Sequence, residues 1–483
     1  MDIIHPDLVP PGLELPPNYS NPACSAYEPR LPMDLWPNVI SQLPFTGLEA
    51  ATLVCQYFRK LAQPLLFQTL TVKPFTFNPK TMKISPQPDS YLKWISAKLS
   101  FCCTPRIAAS VRTCDVGPQD LFTDKEGESE DPGRSMIDEV FEALVKFKSL
   151  THLILAKVVL TDTNLAQLSR LSICPSLTLM HCTSSAPAPL RLAVKTLIFR
   201  NDAAEAGLDT LLLSMVNPNE IEVFSLVGDT AKMLLPQLPH NAVFSNLHTL
   251  CYDYSIATSL PLQPFLSRCH ALEEIHFAPP TNVVEMPMSQ MLDPSDLPSL
   301  HVYHGPDFGA HTFTTGRPIF HVRFWGCDLW GGSRSLDQLV PYWQELQLSS
   351  ELESLEFSVN RISKVFLEQI FYLFPHLKAL GIVVDANEYG IYGIYTREVL
   401  MDTLSSIHLP PEIEYLSIAK YYPWGHEDTP LKDLVRMKEY LAVYPALRYV
   451  AFSGEDFSWR FDPVTGQAVD APRIIDDWRG AHL

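Results

Sequence analysis

The chain lacks four sequence signatures that mark common enzyme classes. Its 483 residues contain no G-x-x-x-x-G-K-[ST], no G-x-G-x-x-G, no H-E-x-x-H and no G-x-S-x-G. A phosphate-cradling loop, a dinucleotide turn, a zinc-protease helix and a nucleophile elbow are therefore not written in it. No apolar run approaches the roughly 20 residues that a membrane helix needs. The opening MDIIHPDLVPPGLELPP has neither a basic start nor an apolar core, so it does not read as a secretory signal. Cysteine is sparse: ten residues, at 24, 55, 102, 103, 114, 174, 182, 251, 269 and 327, with no C-x-x-C pair. That argues against a disulfide framework or a zinc module, and points to reduced thiols in an intracellular protein of the cytoplasm or nucleus. Basic residues are also short, 36 Lys+Arg against 54 Asp+Glu for a net charge of −18. A nucleic-acid binder needs a basic face, so nucleic acid is not an expected partner. His301 and His304 in HVYH lie three apart and would point to opposite faces of a strand, and Cys102-Cys103 has no base nearby in sequence. No metal and no cofactor is expected.

What remains is a composition that folds, with 46% hydrophobic and 19% charged residues. Single cores stop growing near roughly 250–300 residues, so this length implies several domains or a stacked repeat. Prolines number 42 against 20 glycines and recur between apolar runs, which suggests many short elements. Residues 1–30, with Pro6, Pro10, Pro11, Pro16, Pro17, Pro22 and Pro29, read as a flexible leader. Residues 31–70 read as two or three helices. Leu35, Val39, Ile40 and Leu43 have helical spacing, with Asp34 as cap and Pro37 in the first turn. Pro44 ends that helix, and Leu48, Ala51, Val54, Phe58, Leu61 and Leu65 continue the period. Residues 71–146 form a linker and irregular first repeats, with a helix near Tyr91–Leu99. An acidic loop at 123–135 places Ser129 between two glutamates.

Residues 147–456 carry the strongest pattern, an apolar triplet spaced L-x-x-L-x-L. It occurs at Leu150/Leu153/Leu155, Ile221/Phe224/Leu226, Leu247/Leu250/Tyr252, Leu272/Ile275/Phe277 and Leu297/Leu300/Val302. It recurs at Ile319/Val322/Phe324, Leu352/Leu355/Phe357, Leu377/Leu380/Ile382, Ile413/Leu416/Ile418 and Leu447/Val450/Phe452. Weaker copies begin at Phe67, Val111, Cys174 and Val194. From Leu153 the central positions are 24, 20, 27, 26, 25, 25, 22, 33, 25, 36 and 34 residues apart. Leucine-rich repeats run roughly 20–29 residues, and insertions lengthen some units. The alternating part predicts a short strand with one buried face. Return segments such as Val365–Phe374 have helical spacing. One unit cannot bury its own apolar face, so neighbours must stack. The expected fold class is α/β: a helical module followed by a degenerate leucine-rich-repeat solenoid, a horseshoe. Residues 457–483, with Trp459, Phe461, Ile474, Ile475 and Trp478, are expected to cap it around Val450.

Residues 31–70 resemble an F-box. The matching features are Leu31-Pro32, Leu35, Ile40, Leu43-Pro44, Leu48, Ala51, Leu53-Val54-Cys55, Phe58 and Leu61-Ala62. Met33-Asp34 and Phe58 depart from the usual pattern. With the repeats, the chain is similar to the fungal-type F-box/leucine-rich-repeat family. The resemblance implies a non-catalytic substrate receptor of a ubiquitin ligase. Leu31, Pro32, Leu35, Ile40, Leu43, Leu48 and Val54 would dock on a Skp-type adaptor, and through it on a cullin. The repeats would recruit an unidentified protein substrate. The alternative is a leucine-rich-repeat scaffold that acts without ubiquitin transfer.

Alternation also assigns residues to the open, concave face of the solenoid. Three consecutive repeats place Glu274 and His276, then His301 and Tyr303, then His321, Arg323 and Trp325 there. Tyr, Trp and Arg are enriched at binding hot spots. The candidate substrate-binding set is Glu274, His276, His301, Tyr303, Arg323 and Trp325.

Overall fold

The computed structural model describes residues 32–78, 83–120, 134–171, 176–184, 192–201, 216–228, 243–253, 263–278, 292–306, 310–325, 343, 352–359, 362–384, 402–404, 406–420, 443–444, 446–453, 458–462 and 467–470. The leader 1–30, most of the acidic loop with Ser129, and Ile474, Ile475 and Trp478 lie outside them. The chain is mixed α/β and divides into two compact units, Met1–Leu66 and Phe67–Leu483. Among the described residues no helix is long and apolar enough to cross a membrane.

The first unit is helical: α1 (Trp36–Ser41), α2 (Phe45–Val54) and α3 (Gln56–Leu66). Asp34 does not cap α1. It sits in a 3-10 turn, Met33–Leu35, in which the Leu35 N–H donates to the Pro32 carbonyl at 3.0 Å. The preceding turn thus leads into the helix without a side-chain cap, and Pro37 lies in the first turn, where its missing N–H costs nothing. The second periodic stretch is two helices rather than one. Cys55 leaves the helical region, with φ −160° and ψ 169°, and its Sγ accepts the Phe58 N–H at 3.4 Å. Ile40, Leu48, Ala51 and Ala62 form the small core of this unit. Trp36 packs on Phe58 with ring centroids 4.7 Å apart. The Tyr57 hydroxyl donates to the Met33 carbonyl at 2.9 Å.

The second unit is built on strands β1 (Thr69–Asn78), β2 (Lys83–Pro86), β3 (Thr113–Asp120), β4 (His152–Ala156), β5 (Val159–Leu160), β6 (Ser176–Met180), β7 (Thr183–Ser184), β8 (Thr196–Asn201), β9 (Val223–Gly228), β10 (Thr249–Asp253), β11 (Glu274–Ala278), β12 (Val302–Pro306), β13 (His321–Trp325), β14 (Ser354–Val359), β15 (Ala379–Val384), β16 (Tyr415–Lys420), β17 (Tyr449–Ser453), β18 (Ser458–Asp462) and β19 (Gln467–Asp470). Seventeen join one open sheet, and β5 pairs separately with β7. From β1 through β3, β4, β6 and β8 to β17, each strand runs parallel to the next in sequence.

The register of that sheet is a single line of apolar residues. Leu70, Cys114, Leu153, Leu177, Leu197, Phe224, Leu250, Ile275, Tyr303, Val322, Leu355, Leu380, Leu416 and Val450 stand side by side. All are at most 2% exposed. Return helices such as Asp89–Cys102, Arg134–Leu144 and Lys364–Leu373 bury Leu99, Phe141 and Phe366 in the same cluster. A backbone turn leads into many strands. The N–H groups of Leu150, Leu247, Leu272, Leu300, Leu377 and Leu447 return to the carbonyls of Phe147, Phe244, Cys269, Leu297, Phe374 and Tyr444. Two successive amides then share one carbonyl of the preceding unit, as Glu222 and Val223 do with Lys195. Buried backbone groups are satisfied in the same way from unit to unit.

One predicted triplet is displaced. Strand β12 pairs Tyr303 with Ile275 on one side and Val322 on the other, so its triplet is Leu300/Tyr303/Gly305, and Leu297 holds the turn position before it. Tyr303 is therefore core, 0% exposed, with its hydroxyl donating to the Pro306 carbonyl at 2.8 Å. Its ring lies over Gly305, where a Cβ would stand 2.6 Å from the phenolic oxygen and 2.8 Å from Phe277 Cδ2. Glycine makes room for the largest side chain in the row.

Both sheet edges end in antiparallel pairing. Strand β2 covers β1, and the β18–β19 hairpin covers β17, with Val450 opposite Phe461. This blunts edges that otherwise invite pairing with other chains. At this end the side chains of Trp459 and Phe461 lie outside the described residues.

Two outcomes test this architecture. Gly305→Ala should lower the unfolding free energy by about 1–3 kcal/mol in denaturant titrations, the usual cost of overpacking; unchanged stability would contradict the Tyr303 register. Removing residues 457–483 should bare the β17 edge and produce concentration-dependent aggregation in light scattering. A truncated chain that stays monodisperse would show that the hairpin is dispensable.

Candidate protein-interaction surfaces

In the helical unit, packing separates two groups that share one period in the sequence. Ile40 is 2% exposed and Leu48 8%, so both are core and present no surface to a partner. This corrects their assignment as docking residues: α2 turns Leu48 and Ala51 inward into the core that the described residues of this unit form. Pro32, Leu35 and Val54 are exposed, Leu43 is half-buried, and Leu31 lies outside the described residues. Met33, Phe45 and Leu53 are exposed as well, Leu53 to 80%. Sequence reasoning passed over these three as docking candidates. The available signal was their number: a unit of this size has more apolar side chains than an interior to hold them.

In the sheet unit, the face opposite the apolar row carries the polar residues. At one level the register sets Cys251, His276, His304, Arg323, Glu356, Gly381 and Ser417 side by side. The level nearer the strand starts holds Thr249, Glu274, Val302, His321, Ser354, Ala379, Tyr415 and Tyr449. Of the six predicted substrate residues, Glu274, His276 and Arg323 share this face. Tyr303 does not; it is buried because its strand is displaced from the predicted register, and His304 takes the outer position. His301 precedes β12 at the rim, with Nδ1 3.0 Å from the Ser299 carbonyl oxygen. Trp325 is the last residue of β13, and its side chain lies outside the described residues. Sequence reasoning missed His304 and Glu356 as members of the cluster. The turn residue Leu297, equivalent to Phe244, Cys269 and Phe374, was the signal for the first.

The cluster is tightly connected. The His276 Nε2–H donates to Glu274 Oε2 at 3.1 Å. The His276 and His304 rings meet edge to face at 4.3 Å. Arg323 Nε lies 3.3 Å from Glu356 Oε2. Burial pushes His304 down to about 2, and His276, Arg323 and His321 nearby add to that shift. Burial also lowers His276, against the pull of Glu274. Both imidazoles are therefore neutral at neutral pH, between Glu274 and the Arg323–Glu356 pair. Such a row offers a partner fixed donors and acceptors whose rotamers are already held by one another. Beyond it, burial drives the Cys251 thiol up to about 12, so it stays protonated. Among the described residues, no group of three or more His, Cys, Asp and Glu is arranged to hold a metal ion.

No protein-family model and no curated protein matches this chain.

The half-buried imidazoles make stability depend on pH. The folded pKa of His304 lies below its unfolded value, so its contribution is present above about pH 6.5 and is lost as pH falls. Between pH 7 and pH 5 this one group should cost about 2 kcal/mol. His304→Gln should flatten that part of the profile in urea titrations across the same pH range. A variant profile parallel to that of the native chain would mean that His304 is protonated alike in both states.

Proposed function

We propose that this chain is a non-catalytic substrate receptor of a Skp–cullin–F-box type ubiquitin ligase. The helical unit is read as an F-box that docks on the Skp-type adaptor. The parallel sheet is read as a degenerate leucine-rich-repeat solenoid whose polar face recruits a protein substrate. The observation that carries the reading is the helical unit's imbalance. Four buried residues form its core, with Leu43, Phe58, Leu61, Leu65 and Leu66 packed against them, while Met33, Leu35, Phe45, Leu53 and Val54 remain exposed. An apolar surface of this kind on so small a module favours an obligate partner. Regular strand addition along the second unit supports a broad binding surface, since each repeat places one outer set of side chains beside the last.

Co-purification with a Skp-type adaptor tests the reading. Leu53→Asp with Val54→Asp places charges on exposed positions, so helix content and melting temperature should be unchanged while adaptor recovery falls at least tenfold. Undiminished recovery, or no adaptor binding by the native chain, would favour a scaffold that works without ubiquitin transfer.

A further inference from the structure

The outer face at β14–β16 differs from the His/Arg row beside it. Tyr415 and Tyr449, on adjacent strands, have ring centroids 4.3 Å apart and planes inclined by 2°. Parallel rings that close must overlap face to face, so the ring normals run across the strands. One face of Tyr415 is covered by Tyr449, and the other is directed toward β15. There the register offers only Ala379 and Gly381, and Ser354 and Glu356 stand on the strand beyond. Two strand spacings separate β14 from β16, roughly 9.6 Å. That width accepts one planar group in van der Waals contact with the ring. Ala379 and Tyr415 are both partly exposed. Glu356 leans into this space: a Cβ on Gly381 would lie 2.7 Å from Glu356 Cγ.

An aromatic wall, a carboxylate wall and a floor of small side chains between them select for one chemistry. A planar cation stacks on the ring and pairs with the carboxylate at once. An ammonium is more strongly hydrated and lacks the plane. The surrounding charge points the same way. Glu353, Glu412 and Glu414 act on neighbouring Lys378, Arg448 pairs with Glu414 at 3.7 Å, and the whole chain carries −18. Such a field draws a cationic partner.

We propose that this slot docks an arginine side chain of a protein partner, with the guanidinium stacked on Tyr415 over Ala379 and paired with Glu356. Arg323 holds the carboxylate from the opposite side, at 3.3 Å, and so orients it. The proposal rests on the reading of this face as the partner-recruiting surface and is independent of adaptor docking.

A random heptapeptide display library sorted on the full-length chain tests it. Arginine should be enriched at one position of the recovered peptides, and a synthetic peptide of that sequence should bind in fluorescence anisotropy. Replacing its arginine by lysine or citrulline should weaken binding by about fivefold or more, the scale of a lost cation–π contact. Ala379→Leu, which fills the slot at a partly exposed position, should weaken it at least as much with no change in melting temperature. Tyr415→Phe should keep it and Tyr415→Leu should lose it. Absence of arginine enrichment, equal binding of the lysine peptide, or unchanged binding to Ala379→Leu would each overturn the assignment. The Leu53→Asp, Val54→Asp chain should bind the peptide as the native chain does, so a failure of the adaptor reading and a failure of this one are told apart.

Discussion

The second unit depends on one constraint: no strand can bury its apolar row except against the rows beside it. A strand of five or six residues presents two or three inward side chains, far too few for a core. Leu153 is dry because Cys114 and Leu177 flank it, and each of those relies on the next residue in line. A shift of one residue in any strand would send its apolar residues to the polar face, which is why the register is continuous from Leu70 to Val450. The ends of such a stack are its weak points, and both are closed by antiparallel pairing.

The same constraint creates the polar face. Residues between the inward positions must point the other way, so unrelated parts of the sequence are brought level. Glu274, His276, His304, Arg323 and Glu356 come from four strands and 83 positions of chain, 274 to 356 counted inclusively, yet form one connected set. Parallel sheets are usually covered on both faces. Here the described return helices pack into the apolar side, and the other side keeps partly exposed ionisable groups. Holding neutral imidazoles and an arginine pair in that position costs stability.

The helical unit follows a different logic. Its buried core of Ile40, Leu48, Ala51 and Ala62 is small, with Leu43, Phe58, Leu61, Leu65 and Leu66 packed against it, and Met33, Leu35, Phe45, Leu53 and Val54 are exposed. Where the sheet unit buries its apolar row by repetition, this unit leaves several apolar side chains exposed.

Much of the fold was legible in the sequence. Local periodicity set the strands, because an inward residue must recur every second position and every repeat needs the same turn before it. That placed Leu355/Phe357, Leu380/Ile382 and Leu416/Ile418 on the buried side from spacing alone. Only the tertiary structure decided the exceptions. Leu297, Leu300 and Val302 fit the pattern as well as Leu300, Tyr303 and Gly305 do, and the choice fell to whether Tyr303 had space beneath Phe277 and Phe324, which the missing Gly305 side chain supplies. The site was decided in the same way. Apolar spacing could not separate Ile40 from Leu35, because burial among packed helices is set by how the helices cross. Nor could it bring His276 to His304, or Tyr415 to Glu356, since those neighbours are made by strand register across distant repeats and not by distance along the chain.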